Sequence, residues 1–149
     1  MTLANESQHT SADLSIQIET AAEALVLVWG RAQESLQPPV SGSQLRALLV
    51  VERAGEINLN GLADRLGAIP SSASRLCDRL QASGLLLRSP GRTDRREITL
   101  TLTRDGRAML AAMRHARRAE IGRVLEQMSP AGREGLLAAL RLFQDAAEG

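Results

Sequence analysis

Residues 70–102 read PSSASRLCDRLQASGLLLRSPGRTDRREITLTL, and this stretch decides the fold of the 149-residue chain. Pro70 suits the first turn of a helix, and Gly84 suits the position just past its end. The apolar residues of this segment recur at three- and four-residue steps, which predicts one buried stripe made of Ala73, Leu76, Cys77 and Leu80. The opposite face is small, polar and cationic, so the helix is expected to bury one side and expose the other.

The period of the pattern changes after Gly84. Residues 85–88 form a short apolar run, and residues 97–102 alternate strictly between apolar and polar, which predicts two strands. The inward-facing residues of the second strand are expected to be Ile98, Leu100 and Leu102. Residues 89–96 lie between the strands and are rich in turn formers and arginine, so the sequence predicts a hairpin with a basic tip.

Three short elements precede this stretch. Ser41 and Gln44 form a capping box at the start of a helix that ends at Gly55. Residues 57–59 are compatible with a short strand, and Asn60 is the expected N-cap of the short helix that follows. This short helix and the helix that begins at Pro70 are joined by a tight turn, and the two directly precede the hairpin.

Longer helices are predicted towards both ends of the chain. Residues 1–12 are polar and aperiodic and are interpreted as a flexible tail. Helical periodicity begins at Asp13, and Thr103 can cap a second long helix that Pro130 later breaks. Residues 24–29 are apolar all round, which predicts burial on more than one side. In a chain this small, a partner subunit is a natural source of the second side.

Positive charge is concentrated in one part of the chain. The formal net charge is only +1, but residues 75–118 carry eleven arginines against four acids, a balance of +7. The chain contains no lysine. Such a split predicts a polyanion-binding face on an otherwise mildly acidic body.

Several functional classes are disfavoured by what the chain lacks. It has two histidines, no tyrosine and no nucleotide-binding loop or zinc-protease motif, so we expect neither an enzyme nor a cofactor or metal site. Its single cysteine, Cys77, falls on the apolar stripe and is expected to be a core residue in a reducing, cytoplasmic environment. The N-terminus lacks the pattern of a secretory signal, and the longest apolar run has six residues, so no membrane association is expected.

The element order predicts a mainly α (α+β) fold, a winged helix-turn-helix. In this fold the second helix of the pair fits the major groove of double-stranded DNA, where small polar residues and arginine reach base edges. The hairpin tip can contact the neighbouring minor groove or phosphates. Arg75 and Arg79 are therefore expected to contact bases or phosphates, and Arg88, in the same basic stretch, is a further expected DNA contact.

The motifs resemble those of the MarR family of bacterial transcription regulators. The resemblance runs from about residue 14 to residue 147, and an Asp-Arg-Arg wing in register with the upstream helices is its most specific part. The matching segments are Leu62-Ala63-Asp64-Arg65-Leu66-Gly67, Ser74-Arg75-Leu76-Cys77-Asp78-Arg79-Leu80, Gly84-Leu85-Leu86, Asp94-Arg95-Arg96 and Leu102-Thr103-Arg104-Asp105-Gly106.

The resemblance implies a homodimer that binds a pseudo-palindromic operator, most often as a repressor. Residues 13–37 and 103–149 would be dimerisation helices, and residues 41–102 the DNA-binding lobe. Residues 70–83 would form the recognition helix, with contacts from Ser71, Ser72, Ser74 and Arg75. In the wing, residues 89–96, Arg96 would enter the minor groove while Asp94 holds it in place, and Arg92 and Arg95 would contact phosphates.

Two departures from the family pattern concern the recognition helix and the effector. The usual polar residue before the recognition helix is Ile69 here, so Pro70 must fix the helix start without a side-chain acceptor. Many members bind small aromatic effectors, but Trp29 and Phe143 are the only aromatic residues of this chain. Trp29 is the candidate effector-lining residue, although a place in the core or in the dimer interface is the simpler interpretation.

Two alternatives remain at this point. Winged helices also serve as protein-interaction modules, and the basic face could then bind an acidic protein instead of DNA. An enzyme is the weaker alternative because the chain offers no defensible pair of nucleophile and base.

Overall fold

A computed structural model of the chain describes residues 3–91 and 97–149, with side chains from residue 12 onwards. The described part contains six helices and three strands. In chain order they are α1 (Leu3–Glu34), α2 (Gly42–Ala54), β1 (Ile57–Asn58), α3 (Leu59–Leu66), α4 (Pro70–Ala82), β2 (Leu86–Pro90), β3 (Ile98–Leu102), α5 (Arg104–Glu126) and α6 (Pro130–Glu148). This is the mainly helical winged helix-turn-helix that the sequence predicts.

The chain divides into two units by its internal contacts. The central unit is Gln33–Ala116, and the terminal unit combines Met1–Ala32 with Arg117–Gly149. The core of the central unit consists mainly of leucines from α2, α3, α4, β2, β3 and the first half of α5, including Leu48, Leu62, Leu80, Leu100 and Leu110. Because side chains from all these elements share one core, α4 and the hairpin are fixed to the same support.

The strands form an antiparallel sheet in the order β1–β3–β2. In the central strand β3, Leu100 and Leu102 are buried as predicted. The prediction that Ile98 also faces the core is wrong, since its side chain is 53% exposed. Ile98 pairs with Pro90 in the last described pair between β2 and β3. The alternation of apolar and polar residues continues to this pair, but the core has already ended there.

Side-chain caps define the helix starts. The capping box of α2 is confirmed, because the Ser41 hydroxyl accepts a hydrogen bond from the Gln44 backbone and the Gln44 side chain accepts one from the Ser41 backbone. The cap predicted at Asn60 is wrong. Asn58 caps α3 instead, and its side-chain oxygen accepts a hydrogen bond from the Gly61 N–H at 2.8 Å. Asn58 ends β1 directly before the helix, so a single residue closes one element and starts the next.

The first helix begins earlier than the sequence pattern predicts. Helical backbone starts at Leu3, whereas the polar, aperiodic pattern predicts a tail over residues 1–12. Residues 3–12 contain neither proline nor glycine, so nothing in them terminates a helix that continues backwards from residue 13. The flexibility of this segment stays a prediction.

The start of α5 is held against the segment before β2. Thr103 caps the helix through its hydroxyl, which accepts a hydrogen bond from the Gly106 N–H at 2.9 Å and donates one to the Gly84 carbonyl at 2.6 Å. A Cβ atom at Gly106 would lie 2.2 Å from the Leu85 carbonyl oxygen. Only glycine allows this approach, which explains the glycine at position 106.

The terminal unit has a different character. Helix α6 contains no buried residue, and the leucines and Phe143 along it are exposed. Within the unit, the guanidinium of Arg117 lies 4.5 Å from the centre of the Trp29 ring, a cation–π contact. Across the described residues, no helix combines the length and apolar character that a membrane span requires.

Candidate nucleic-acid interface

Helix α4 buries one face and exposes the other. Ala73, Cys77 and Leu80 are buried, as the apolar stripe predicts, and Leu76 is partly buried. Ser71, Ser72, Arg75 and Arg79 lie on the accessible side of the helix. This side therefore combines short hydroxyl side chains with two long cations, which is a suitable combination for base edges and phosphates.

The start of α4 depends on Pro70, as predicted. Ile69 occupies the N-cap position and makes no side-chain cap hydrogen bond. The Ile69 carbonyl accepts hydrogen bonds from the backbone of Ser72 at 3.0 Å and of Ala73 at 3.1 Å. The ring of Pro70 supplies a helical φ without needing an N–H partner, so the helix starts without an Asp or Ser cap.

Arg88 ties β2 to α4. Its Nη1 atom lies 2.7 Å from the Asp78 carboxylate, and its Nη2 atom donates to the Ser74 carbonyl at 3.1 Å and to the Ser74 hydroxyl at 3.5 Å. Arg88 and Ser74 are both sequence-predicted DNA contacts, and the structure places them against each other. Their contacts fix the angle between the hairpin and the helix, a role that the sequence did not reveal because Asp78 is ten residues from Arg88.

Cys77 lies close to this ion pair. Its side chain is fully buried, which confirms the predicted core position. Burial is the largest influence on the thiol and raises its pKa, while the nearby Arg88 acts in the opposite direction. A neutral buried thiol is a poor nucleophile, so Cys77 contributes packing to the recognition helix.

The hairpin is anchored at its base. The Gly91 N–H donates to the Glu97 carbonyl at 2.8 Å, and the Asn58 side chain donates to the Glu97 carboxylate at 2.8 Å. Asn58 thus connects the start of α3 to the wing. The predicted wing contacts Arg92, Asp94, Arg95 and Arg96 lie outside the described residues.

A cleft of about 370 Å³ opens beside the exposed face of α4. Its lining includes Ser72, Arg75 and Arg79 of α4, Ser43 and Arg46 of α2, and apolar residues that include Leu66 of α3. Arg46 is not among the DNA contacts predicted from the sequence, because it lies outside the charge-rich stretch and on a helix not assigned to DNA contact. Only the tertiary structure brings this third cation beside the other two.

The remaining candidate residue lies in the other unit. Trp29 belongs to the terminal unit, where its ring is 45% exposed and contacts Arg117. Among the described residues, no three metal-binding side chains cluster together.

Comparisons with known proteins agree with this geometry. A sequence model of the MarR family matches residues 39–97, a range that includes α2, β1, α3, α4, β2 and the wing residues 89–96. The crystal structure of RV1404 from Mycobacterium tuberculosis superposes with a TM-score of 0.83 at 36% identity, covering 91% of this chain and 92% of that one.

Two curated relatives come from Bacillus subtilis. The uncharacterised HTH-type transcriptional regulator YfiV is 26% identical over 80% of this chain and 74% of its own length. The HTH-type transcriptional repressor MdtR is 30% identical over 58% of this chain and 56% of its own length. The family match, together with RV1404 at 36% identity over 91% of this chain and 92% of its own, shows that the chain belongs to the MarR family of transcriptional regulators.

Proposed function

We propose that this protein binds operator DNA as a homodimer and represses transcription. The observation that carries the proposal is the exposed face of α4, where Ser71, Ser72, Arg75 and Arg79 project from a helix whose other face is locked into the core. Such a helix can enter the major groove without losing its support. Arg88 supports this surface by fixing the hairpin beside the helix.

The terminal unit supports the homodimer. Its helices expose a series of large apolar side chains, including Leu14, Ile18, Leu137, Leu140 and Phe143. Leaving these side chains in water is unfavourable, and a second copy of the same helices offers an equally apolar surface. Two copies would present two α4 helices to a pseudo-palindromic site.

The relative MdtR is a transcriptional repressor, and this supports repression as the activity of the present protein. Because the operator is part of the cell's DNA, the present protein would act in the cytoplasm. An effector that prefers the DNA-free arrangement of the dimer would lower operator affinity by shifting the population. Trp29 is the residue we assign to effector contact, because its exposed ring can stack on an aromatic compound.

Fluorescence anisotropy tests the DNA-binding part of the proposal. The purified protein is titrated with duplex DNA from its own upstream intergenic region and with a shuffled duplex of equal length. We expect the upstream duplex to bind about 10³-fold more tightly near physiological salt. Equal, weak and salt-sensitive binding to both duplexes would contradict sequence-specific recognition and favour a protein-interaction module.

The variant Arg75→Ala tests the role of α4 in the same assay. Loss of this side chain should cost about 1–3 kcal/mol on the specific duplex and relax the sequence preference. Arg141→Ala is the matched control, because it removes an exposed helical arginine from α6. Equal effects of the two variants would contradict recognition by α4.

Sedimentation velocity tests the dimer. A single species with the mass of two chains is expected at micromolar concentration, and a monomer there would contradict the proposal. Substituting Leu137→Glu should shift the equilibrium to monomer, because a carboxylate would be buried in an apolar interface.

A further inference from the structure

The cleft between α2 and α4 contains cations that the fold itself does not use. Elsewhere in the central unit, Arg88 pairs with Asp78 and Arg114 pairs with Glu52. Arg46, Arg75 and Arg79 line the cleft, and none of them forms an ion pair with another described residue. Carboxylates therefore neutralise Arg88 and Arg114, whereas the three arginines that line the cleft have no such partner among the described residues.

The chemistry of this group selects a phosphate. Guanidinium groups bind phosphate oxygens with paired, charge-assisted hydrogen bonds, and the hydroxyls of Ser43 and Ser72 add neutral donors at the same cleft. The described lining contains no carboxylate that would compete for the cations. Ser43 is in the first turn of α2, so the positive end of that helix also lies at the cleft.

The position of the cleft points to the DNA backbone as the source of the phosphate. Arg75 and Ser72 belong both to the cleft and to the exposed face of α4 that we assign to the major groove. When α4 lies in the groove, the sugar–phosphate strand that borders the groove must pass beside the helix. The cleft lies beside α4, and Arg46 of α2 is part of the same lining.

We propose that this cleft receives a phosphate of the DNA backbone and that Arg46 contacts it from α2. The proposal rests on the proposed function and adds a binding residue from a helix outside the helix-turn-helix pair. A backbone contact carries no sequence information, so Arg46 fixes how α4 lies in the groove while α4 reads the bases.

Salt-dependent binding of Arg46→Ala tests the proposal. Anisotropy titrations between about 50 and 200 mM salt give the slope of log K against log salt for the specific and the shuffled duplex. We expect roughly tenfold weaker binding to both duplexes, because the substitution removes a charge-assisted hydrogen bond that does not depend on sequence. The slope should become shallower by about 0.9 for each phosphate that the variant no longer neutralises.

Two further variants serve as controls. Arg46→Lys retains the positive charge and should restore most of the salt slope. Arg53→Ala removes another arginine of α2, about two turns further along the helix and outside the lining of the cleft. If Arg53→Ala changes affinity and slope as much as Arg46→Ala, general electrostatic attraction explains the effect and the proposed phosphate site is wrong.

Single methylphosphonate substitutions in the duplex locate the phosphate. Each removes one backbone charge, and we expect one position per half-site at which wild-type binding weakens while Arg46→Ala binding does not change. The proposal fails if both proteins respond alike at every position. It also fails if sodium phosphate at fixed ionic strength binds to the wild type but not to Arg46→Ala and leaves the affinity of the wild type for DNA unchanged, because the cleft would then hold a free anion and not the DNA backbone.

These results separate the proposal from the proposed function. Equal affinity of the wild type for specific and shuffled duplexes would contradict operator recognition, yet the effect of Arg46→Ala could still be measured on both. Strong operator preference together with an unchanged salt slope in Arg46→Ala would contradict the phosphate site alone.

Discussion

The central unit buries most of its large apolar side chains, whereas the terminal unit exposes most of its own. Among the buried apolar residues that the structure describes, all except Ala32 lie in the central unit. Most of the large exposed apolar residues belong to α1 and α6 in the terminal unit. The central unit can therefore stabilise itself within one chain, whereas the terminal unit has an apolar surface that a partner must cover to remove it from water.

The difference separates a surface on the central unit that a core supports from a surface on the terminal unit that has no such support among the described residues. The exposed face of α4 needs a fixed support, and a core shared by helices and strands provides it. Within one chain, no comparable core of described residues supports the terminal helices α1 and α6. In the proposed dimer, relative movement of the two central units would change the spacing of their α4 helices without disturbing either core.

The largest effect is expected from a cavity in the central unit. Leu48→Ala removes a fully buried side chain of α2 and should lower the free energy of unfolding by about 2–5 kcal/mol. Leu142→Ala is the matched control, since this side chain on α6 is 70% exposed, and its effect should stay within about 0.5 kcal/mol. Urea denaturation at low protein concentration measures both, and equal destabilisation would remove the difference between the units.

Two glycines of α5 allow the packing of the two units to be compared directly, because one lies in each unit. Gly106→Ala would place a Cβ 2.2 Å from the Leu85 carbonyl oxygen, and a backbone atom cannot move away as a side chain can. We expect a destabilisation of about 1–3 kcal/mol. Gly122→Ala meets nothing within 4 Å and should stabilise the helix by about 0.5–1 kcal/mol. Thermal denaturation should show opposite shifts, and shifts of the same sign would contradict the packing of α5 against Leu85.

A smaller effect is expected from the ion pair that joins α2 and α5 in the central unit. The Glu52 carboxylate accepts hydrogen bonds from both terminal nitrogens of Arg114, one of them at 3.0 Å. These bonds hold the pKa of Glu52 below its usual value of 4.5. The folded state then binds its proton less readily than the unfolded chain, so the stabilisation is present at neutral pH and is lost as pH falls below about 4.5.

The variant Glu52→Gln tests this pH dependence. Both partners are partly exposed, so solvent screening limits the expected destabilisation at pH 7 to about 0.5–1 kcal/mol. The difference should vanish at low pH, where the wild-type carboxyl is protonated. Glu56→Gln, a change at an exposed carboxylate of the same unit, is the control. A difference between wild type and Glu52→Gln that persists undiminished at low pH would show that the ion pair is not the cause.

The local signals of the sequence predict most of the central unit. The apolar stripe of α4, the cap at Ser41 and the proline start at Pro70 are confirmed because each depends on residues close together in the chain. The predicted cap of α3 lies two residues too late, because Asn58 serves both the strand ladder and the cap. The predicted burial of Ile98 is wrong because alternation shows which face a residue shares but not where the core ends.

The fold class, the family resemblance and the exposed residues of α4 could be predicted from the sequence, since periodicity, caps and local charge are encoded over a few neighbouring residues. Which arginines form internal ion pairs could not be predicted, because tertiary packing sets those contacts. Arg88 pairs with Asp78 across an element boundary, and Arg46 reaches the cleft of Arg75 from a different helix. Both arrangements join residues that are distant in sequence, and packing around a common core is what brings them together.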